Sequence, residues 1–289
     1  MFNNSKTKKM KTKKFILNGL MVMVAASMIL TSCKKKEDED KDTQSASDNE
    51  ESEFVSNDAL NMADQAANGK NSFKNGDAVY APMSCATVTR DTANSADADT
   101  VTIDFGSTNC QCNDGRYRRG IIMIIHQGKW WIANSYRTIT FDNYYVNDRH
   151  IEGTHTVTYN GLNSANHANW SITATNMKIT SPDGTKYHTW NSTRNREHSS
   201  NNSTPFNPFD DVYSITGSAS GSNSNGVSYT ANITNALKRH LDCKYFEAGT
   251  VELTPSNKPM RTLDFGTDGT CDNQATVTIN NNTYTITLH

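Results

Sequence analysis

The side chains with most chemical potential are five cysteines, Cys85, Cys110, Cys112, Cys243 and Cys271, and their spacing repeats. Cys85 precedes Thr102-Ile103-Asp104-Phe105-Gly106, with Cys110 and Cys112 after it. Cys243 precedes Thr262-Leu263-Asp264-Phe265-Gly266, with Cys271 after it. The offsets between the two units are 158, 160 and 159 residues. Residues 1–32 have the order of a secretion signal, which places these thiols in an oxidising compartment where disulfides are the default. Aligning the units pairs Cys243 with Cys271, and Cys85 with either Cys112 or Cys110. Cys112-Asn113-Asp114 matches Cys271-Asp272-Asn273 better, although Cys271 falls between the two in its spacing from Asp-Phe-Gly. Each closed loop stabilises the fold by roughly 3–4 kcal/mol in the chain-entropy view. Cys110-Gln111-Cys112 as a metal or redox pair has no histidine beside it to support that reading.

Other candidate chemistry is weaker. Asp104-Phe105-Gly106 and Asp264-Phe265-Gly266 match the metal-binding tripeptide of protein kinases, but no phosphate loop accompanies them. They read as an aromatic in the core followed by a turn glycine. Asp264, Asp268 and Asp272 recur every four residues, which misses the alternating ligands of an EF-hand and suits turns. His150-Ile151-Glu152-Gly153-Thr154-His155 has an offset of five, which on a strand sends the two imidazoles to opposite faces. No Gly-x-Ser-x-Gly elbow occurs. The sequence therefore nominates no catalytic residue, no metal ligand and no cofactor.

Aromatics carry the best binding lead. Trp130 and Trp131 are adjacent between two strand patterns, so an extended backbone turns one inward and one outward. An outward indole flanked by Asn and Asp suits a sugar ring or a protein partner. Asp91-Thr92-Ala93 matches a short Asp-Thr-aliphatic O-glycosylation pattern at Thr92, and Asp99-Thr100-Val101 matches it again.

The leader contains six lysines and no acid before residue 15, then an apolar run over residues 15–30, then Thr31-Ser32-Cys33. Sixteen residues is short for a membrane-spanning helix. The ending resembles the bacterial lipobox, so Cys33 is the expected lipidation site and the mature chain is held to a membrane by a lipid anchor. Residues 33–289 keep 22 basic against 30 acidic residues, a net charge near −8 that disfavours nucleic-acid binding. Lysines and then acids after Cys33 resemble the surface-export signal of Bacteroidota lipoproteins. The expected address is the outer membrane, facing outward, with a periplasm-facing orientation as the alternative. Residues 33–53 are charged and poor in apolar side chains, and are expected to be a disordered tether.

A helix is expected near residues 58–67, where Asn57 or Asp58 caps a run rich in alanine. Beyond Val79 the period becomes two, as in Val101-Thr102-Ile103, Val227-Ser228-Tyr229 and Tyr284-Thr285-Ile286. Pro182-Asp183-Gly184 and Asn225-Gly226 read as hairpins. About twelve strands are expected, in an all-β antiparallel meander forming a sandwich or barrel-like sheet over residues 54–289. The run Ile121-Ile122-Met123-Ile124-Ile125 is apolar on both faces and is expected to be covered on both.

The strings TIDFG, CNDGRYRRG, TFDNYYVND, PDGTKYHTWNSTR and LDFGTDGTCDN resemble a family of uncharacterised Bacteroidota lipoproteins across nearly all of the mature chain. The resemblance implies an exported, β-rich lipoprotein and transfers no catalytic residue. The functional expectation is a non-catalytic binding or structural module of the envelope, its partner a glycan or an envelope protein. An exported polymer-acting hydrolase is the alternative.

Overall fold

The structure, a computed structural model, describes residues 39–68, 85–91, 99–128, 132–199, 211–240, 243–267 and 269–289. Residues Asp40–His289 form one compact unit. Its described residues hold one helix, α1 (Gln44–Asn68), and fourteen strands. The first half of the sheet contains β1 (Thr87–Asp91), β2 (Asp99–Asp104), β3 (Cys110–Gln111), β4 (Tyr117–Gln127), β5 (Tyr136–Val146), β6 (Arg149–Leu162) and β7 (Ala168–Thr180). The second contains β8 (Tyr187–His198), β9 (Val212–Ser222), β10 (Ser228–His240), β11 (Ala248–Pro255), β12 (Arg261–Asp264), β13 (Gln274–Ile279) and β14 (Asn282–Thr287). All the pairs are antiparallel between chain neighbours, except that β3 is a short flap on β4 while β2 also pairs with β4. Among the described residues no ladder joins β14 to β1, so the meander is an open, curled sheet. The all-β expectation therefore holds, as an open and sandwich-like sheet around a single helix.

Turn chemistry follows the sequence closely. Gly184 and Gly226 take positive φ in the two expected hairpins. Two further turns, Asn147-Asp148 and Asn280-Asn281, have positive φ at both central residues, the geometry that matches strand twist, without using glycine. Gly120 is obligatory for another reason. A Cβ there would lie 2.0 Å from the Asn143 carbonyl oxygen, where β5 bulges against β4.

The helix differs from expectation, and the difference organises the fold. It starts at Gln44, well inside the segment expected to be a disordered tether. The Thr43 carbonyl accepts from the Ala46 and Ser47 amides, and Asp42 Oδ1 accepts from the Gln44 amide at 2.9 Å. Six consecutive residues, Asp48 to Glu53, are all buried. Six positions of a helix point in every direction around its axis, so the curled sheet covers this part of α1 all round. Its C-terminal half places Val55, Leu60, Met62, Ala63 and Ala66 in the same core as Ile103, Ile122, Ile124 and Leu263.

Several acids of α1 are neutralised from inward-facing strand residues. Arg194 on β8 donates to Glu53, with Nε at 3.0 Å from Oε1. Arg137 and Arg196 both pair with Asp64. Burial alone would raise the Asp64 carboxyl, but these two guanidiniums hold it below the usual range. Arg118, fully buried, forms two bonds to Asp58 at 2.8 and 3.1 Å and two to Asp114 at 2.9 and 2.7 Å.

The outer face is different in kind. On β8, His188, Trp190, Ser192, Arg194 and Arg196 are buried, while the alternate residues Asn191, Thr193 and Asn195 are exposed. Thr, Ser and Asn outside are not the apolar band that a lipid-facing barrel presents. No helix of the described residues is long and apolar enough to cross a membrane. One expectation fails on this face. Ile122 and Ile124 are buried, but Met123 and Ile125 are 38% and 39% exposed. The β4 run is covered on one side only, its outer side lying between the threonines of β2 and β5.

Candidate functional site

An open depression of about 530 Å³ lies on the outer face across β7 to β10. Its cause is legible in β9, which reads Thr216-Gly217-Ser218-Ala219-Ser220-Gly221-Ser222. A strand of Gly, Ser and Ala has almost no height, while Thr and Asn stand on both sides of it. Gly217 (φ 125°) also lets β9 approach β8, since a Cβ there would meet the Thr193 carbonyl oxygen at 2.1 Å. Glycines inside a strand mark a place where a backbone or a ligand comes close.

Strand register sets the polar groups in rows. Thr173, Thr193, Ser218 and Asn232 stand opposite one another across four strands, and Asn191, Ser220 and Thr230 form the next row. Neighbouring members of a row are spaced by the inter-strand distance of about 4.8 Å. All seven are exposed, with Thr175 beside them. Ala174, Ser192 and Ala219, the small inward residues between them, complete the floor. Asn191 Oδ1 accepts from the Asn176 amide at 2.7 Å, which orients its side chain. Thr173, Thr193, Ser218, Ser220 and Thr230 therefore present hydroxyls on the exposed face. The lining contains no carboxylate, imidazole, guanidinium or ammonium group. Such a surface offers donors, acceptors and threonine methyls, and no group to move a proton at neutral pH.

The residues nominated from sequence fare unevenly. Cys33, Thr92, Trp130 and Trp131 lie outside the described residues. Cys243 is bonded to Cys271 with Cα atoms 5.7 Å apart. Cys85 is bonded to Cys110, Cα atoms 6.2 Å apart, and the better-matching Cys112 is the free, buried thiol. The match of Cys112-Asn113-Asp114 to the second unit reflected turn residues, whereas bonding follows sulfur position. The Cys112 carbonyl closes the turn to Gly115, and Asp114 in that turn is tied to Arg116 and Arg118.

The two Asp-Phe-Gly strings are structural twins. Asp104 Oδ1 accepts from the Gly106 amide at 2.7 Å and Asp264 Oδ1 from the Gly266 amide at 2.8 Å, with Phe105 and Phe265 buried. Asp272 Oδ1 likewise accepts from the Gln274 amide within its own turn. His150 stacks on Tyr145, while His155 is buried and pairs with Ser56 Oγ at 2.9 Å, so the two imidazoles do not converge. Burial pushes His155 down to about 4, which makes it a neutral core residue.

His188 sits in an interior cluster with Asp48 and Glu51. His188 Nδ1 lies 3.6 Å from Asp48 Oδ1 and 4.0 Å from Glu51 Oε2, and His188 Nε2 is 3.1 Å from Ser52 Oγ. All three titratable side chains are buried. Asp48 already accepts from Gln44, from the Ser224 amide and from its hydroxyl, and Glu51 pairs with Arg149. The cluster is accordingly a packed contact between α1 and β8.

Sequence reasoning missed the depression. Its signal was present as the Gly-Ser-Ala-Ser-Gly run of β9, but which face that run occupies depends on the sheet around it. No family model, curated protein or solved structure matches this chain.

Proposed function

We propose that the chain is a non-catalytic binding module of the bacterial cell envelope, taking a neutral, hydroxyl-rich ligand such as a glycan into the depression over β9. The observation that carries this reading is the lining itself: rows of Thr, Ser and Asn at strand spacing, uncharged, on a sheet braced from behind by α1. Hydroxyl and amide groups at fixed spacing pair with sugar hydroxyls, and threonine methyls meet the apolar patches of a pyranose ring. Placing the groups on strands gives them a precision that a loop would lack. The leader and Cys33 support an envelope address, with attachment to the outer membrane through lipid and the domain facing outward.

A glycan array probed with the domain, followed by calorimetry on the best ligand, tests the binding reading. Thr193→Val and Ser218→Ala should each weaken binding roughly fivefold, the loss of about one hydrogen bond. Binding that is undetectable across envelope polysaccharides, or indifferent to both substitutions, rejects the site; retention of an envelope protein in a pull-down would then redirect the reading. For the address, Cys33→Ala should abolish acyl labelling, and protease should remove the domain from intact cells. Normal labelling of that variant rejects the anchor.

A further inference from the structure

Two residues apart on extended chain, Cys110 and Cys112 direct their side chains to one side, and Cys85 lies opposite both. Cys85 is bonded to Cys110, yet its Sγ is also 3.4 Å from Cys112 Sγ, which is van der Waals contact between sulfurs. The three differ in access: Cys85 is exposed, Cys110 half-buried and Cys112 only 3% exposed. Cys112 is also held in place. Its amide donates to the Arg116 carbonyl, and Asp114 two residues on is clamped by Arg116 and Arg118, which reach Asp58 on α1.

We propose that Cys85, Cys110 and Cys112 form a thiol–disulfide exchange site for an external thiol, with Cys85 as the shared sulfur and Cys112 as the buried resolving thiol. An incoming thiolate attacks the exposed Cys85 sulfur, forming a mixed disulfide, and the electron pair of the broken bond leaves on Cys110. Cys112, deprotonated, then attacks the same Cys85 sulfur and expels the incoming thiolate. The proton from Cys112 ends on Cys110. One disulfide is consumed and one formed, so no oxidant or reductant is required. The outcome exchanges a buried thiol for a half-buried one at Cys110, within reach of a partner. Among the described residues no third cysteine accompanies Cys243–Cys271, so the second unit lacks the resolving thiol of the first. Burial pushes the Cys112 thiol up, against the pull of Arg118, so exchange should accelerate as pH rises.

The test is acid-quenched, alkylated, non-reducing peptide mapping of the protein before and after incubation with reduced glutathione, and separately with a longer single-cysteine peptide. The expected result is a Cys85–Cys112 bond with alkylated Cys110, appearing with either probe, while Cys243–Cys271 persists. Reaction with glutathione identifies a small thiol as sufficient, and reaction with the peptide alone points to a protein thiol. Cys112→Ser should show only the Cys85–Cys110 bond after either probe, since the released Cys110 thiolate is then the only sulfur left to resolve the mixed disulfide, and Cys110→Ser should fold with Cys85–Cys112. A wild-type map that holds only Cys85–Cys110 under both probes overturns the proposal. So does Cys110→Ser protein that leaves Cys85 and Cys112 unlinked.

Discussion

The inner and outer faces of β7 to β10 are built from the same strands and do opposite things. Inside β8, Arg194 meets Glu53, Arg196 meets Asp64, Trp190 Nε1 donates to Asn49 Oδ1 at 3.1 Å and His188 meets Ser52. Outside β8, Asn191, Thr193 and Asn195 face solvent and are neutral. Along β8, charge is thus concentrated where water is excluded, and neutral polarity where water is free. An interior of this kind specifies how α1 must sit, since a helix turned or slid by one residue would strand several charges at once. The outer face has no such obligation, and its side chains are available for recognition.

Breaking an inner pair should have the largest effect. Glu53→Ala leaves the Arg194 guanidinium buried without its partner and should cost about 3–5 kcal/mol in denaturant unfolding. Replacing both, as Glu53→Leu with Arg194→Met, should restore most of that loss, because the burial penalty of both charges goes with them. A cost for Glu53→Ala no larger than for an exposed residue would mean that α1 is not enclosed as described.

A pH dependence of about 3 kcal/mol should come from His155. Its imidazole is near 6.5 when unfolded and about 4 when folded. Between these values the unfolded chain binds a proton that the folded chain refuses, so stability falls as pH drops from 6.5 to 4. The contribution is complete above 6.5. Denaturation midpoints across this window should lose much of their slope in His155→Gln, which keeps a polar partner for Ser56; an unchanged slope would assign the pH dependence to other groups.

The smallest effect belongs to the outer face. Thr193→Val should shift stability by no more than about 0.5 kcal/mol, as exposed substitutions do, while weakening glycan binding. Thermal melts set beside calorimetric titrations separate the two. A large loss of stability would show that the outer hydroxyls brace the sheet, and the contrast between the faces would disappear.

Much of the architecture was legible because strands and turns are local. Alternation in Val101-Thr102-Ile103 and Val227-Ser228-Tyr229 needs only a period of two, and Asn225-Gly226 needs only a turn that tolerates positive φ. The repeat of Asp-Phe-Gly predicted two equivalent turns, and both close with the same aspartate-to-glycine bond. Where partners are distant in sequence, reading failed. The segment Asp48-Asn49-Glu50-Glu51 looks solvated because the basic partners of its acids, Arg149 for Glu51 and His289 for Glu50, lie 98 and 239 residues away. The β4 run looked doubly buried because nothing in its own residues says which side faces the helix.

The sequence by itself determined the alternation of the strands, the places where the chain turns and which cysteines compete for Cys85, since each depends on neighbours within a few residues or on a repeat. Only the tertiary structure decided that a polar helix fills the sheet, that Cys110 rather than Cys112 holds the bond, and that a low strand between taller ones makes a depression. Those outcomes depend on distances between residues far apart in the chain, where a buried charge is tolerated only beside its partner and a bond forms only where two sulfurs meet.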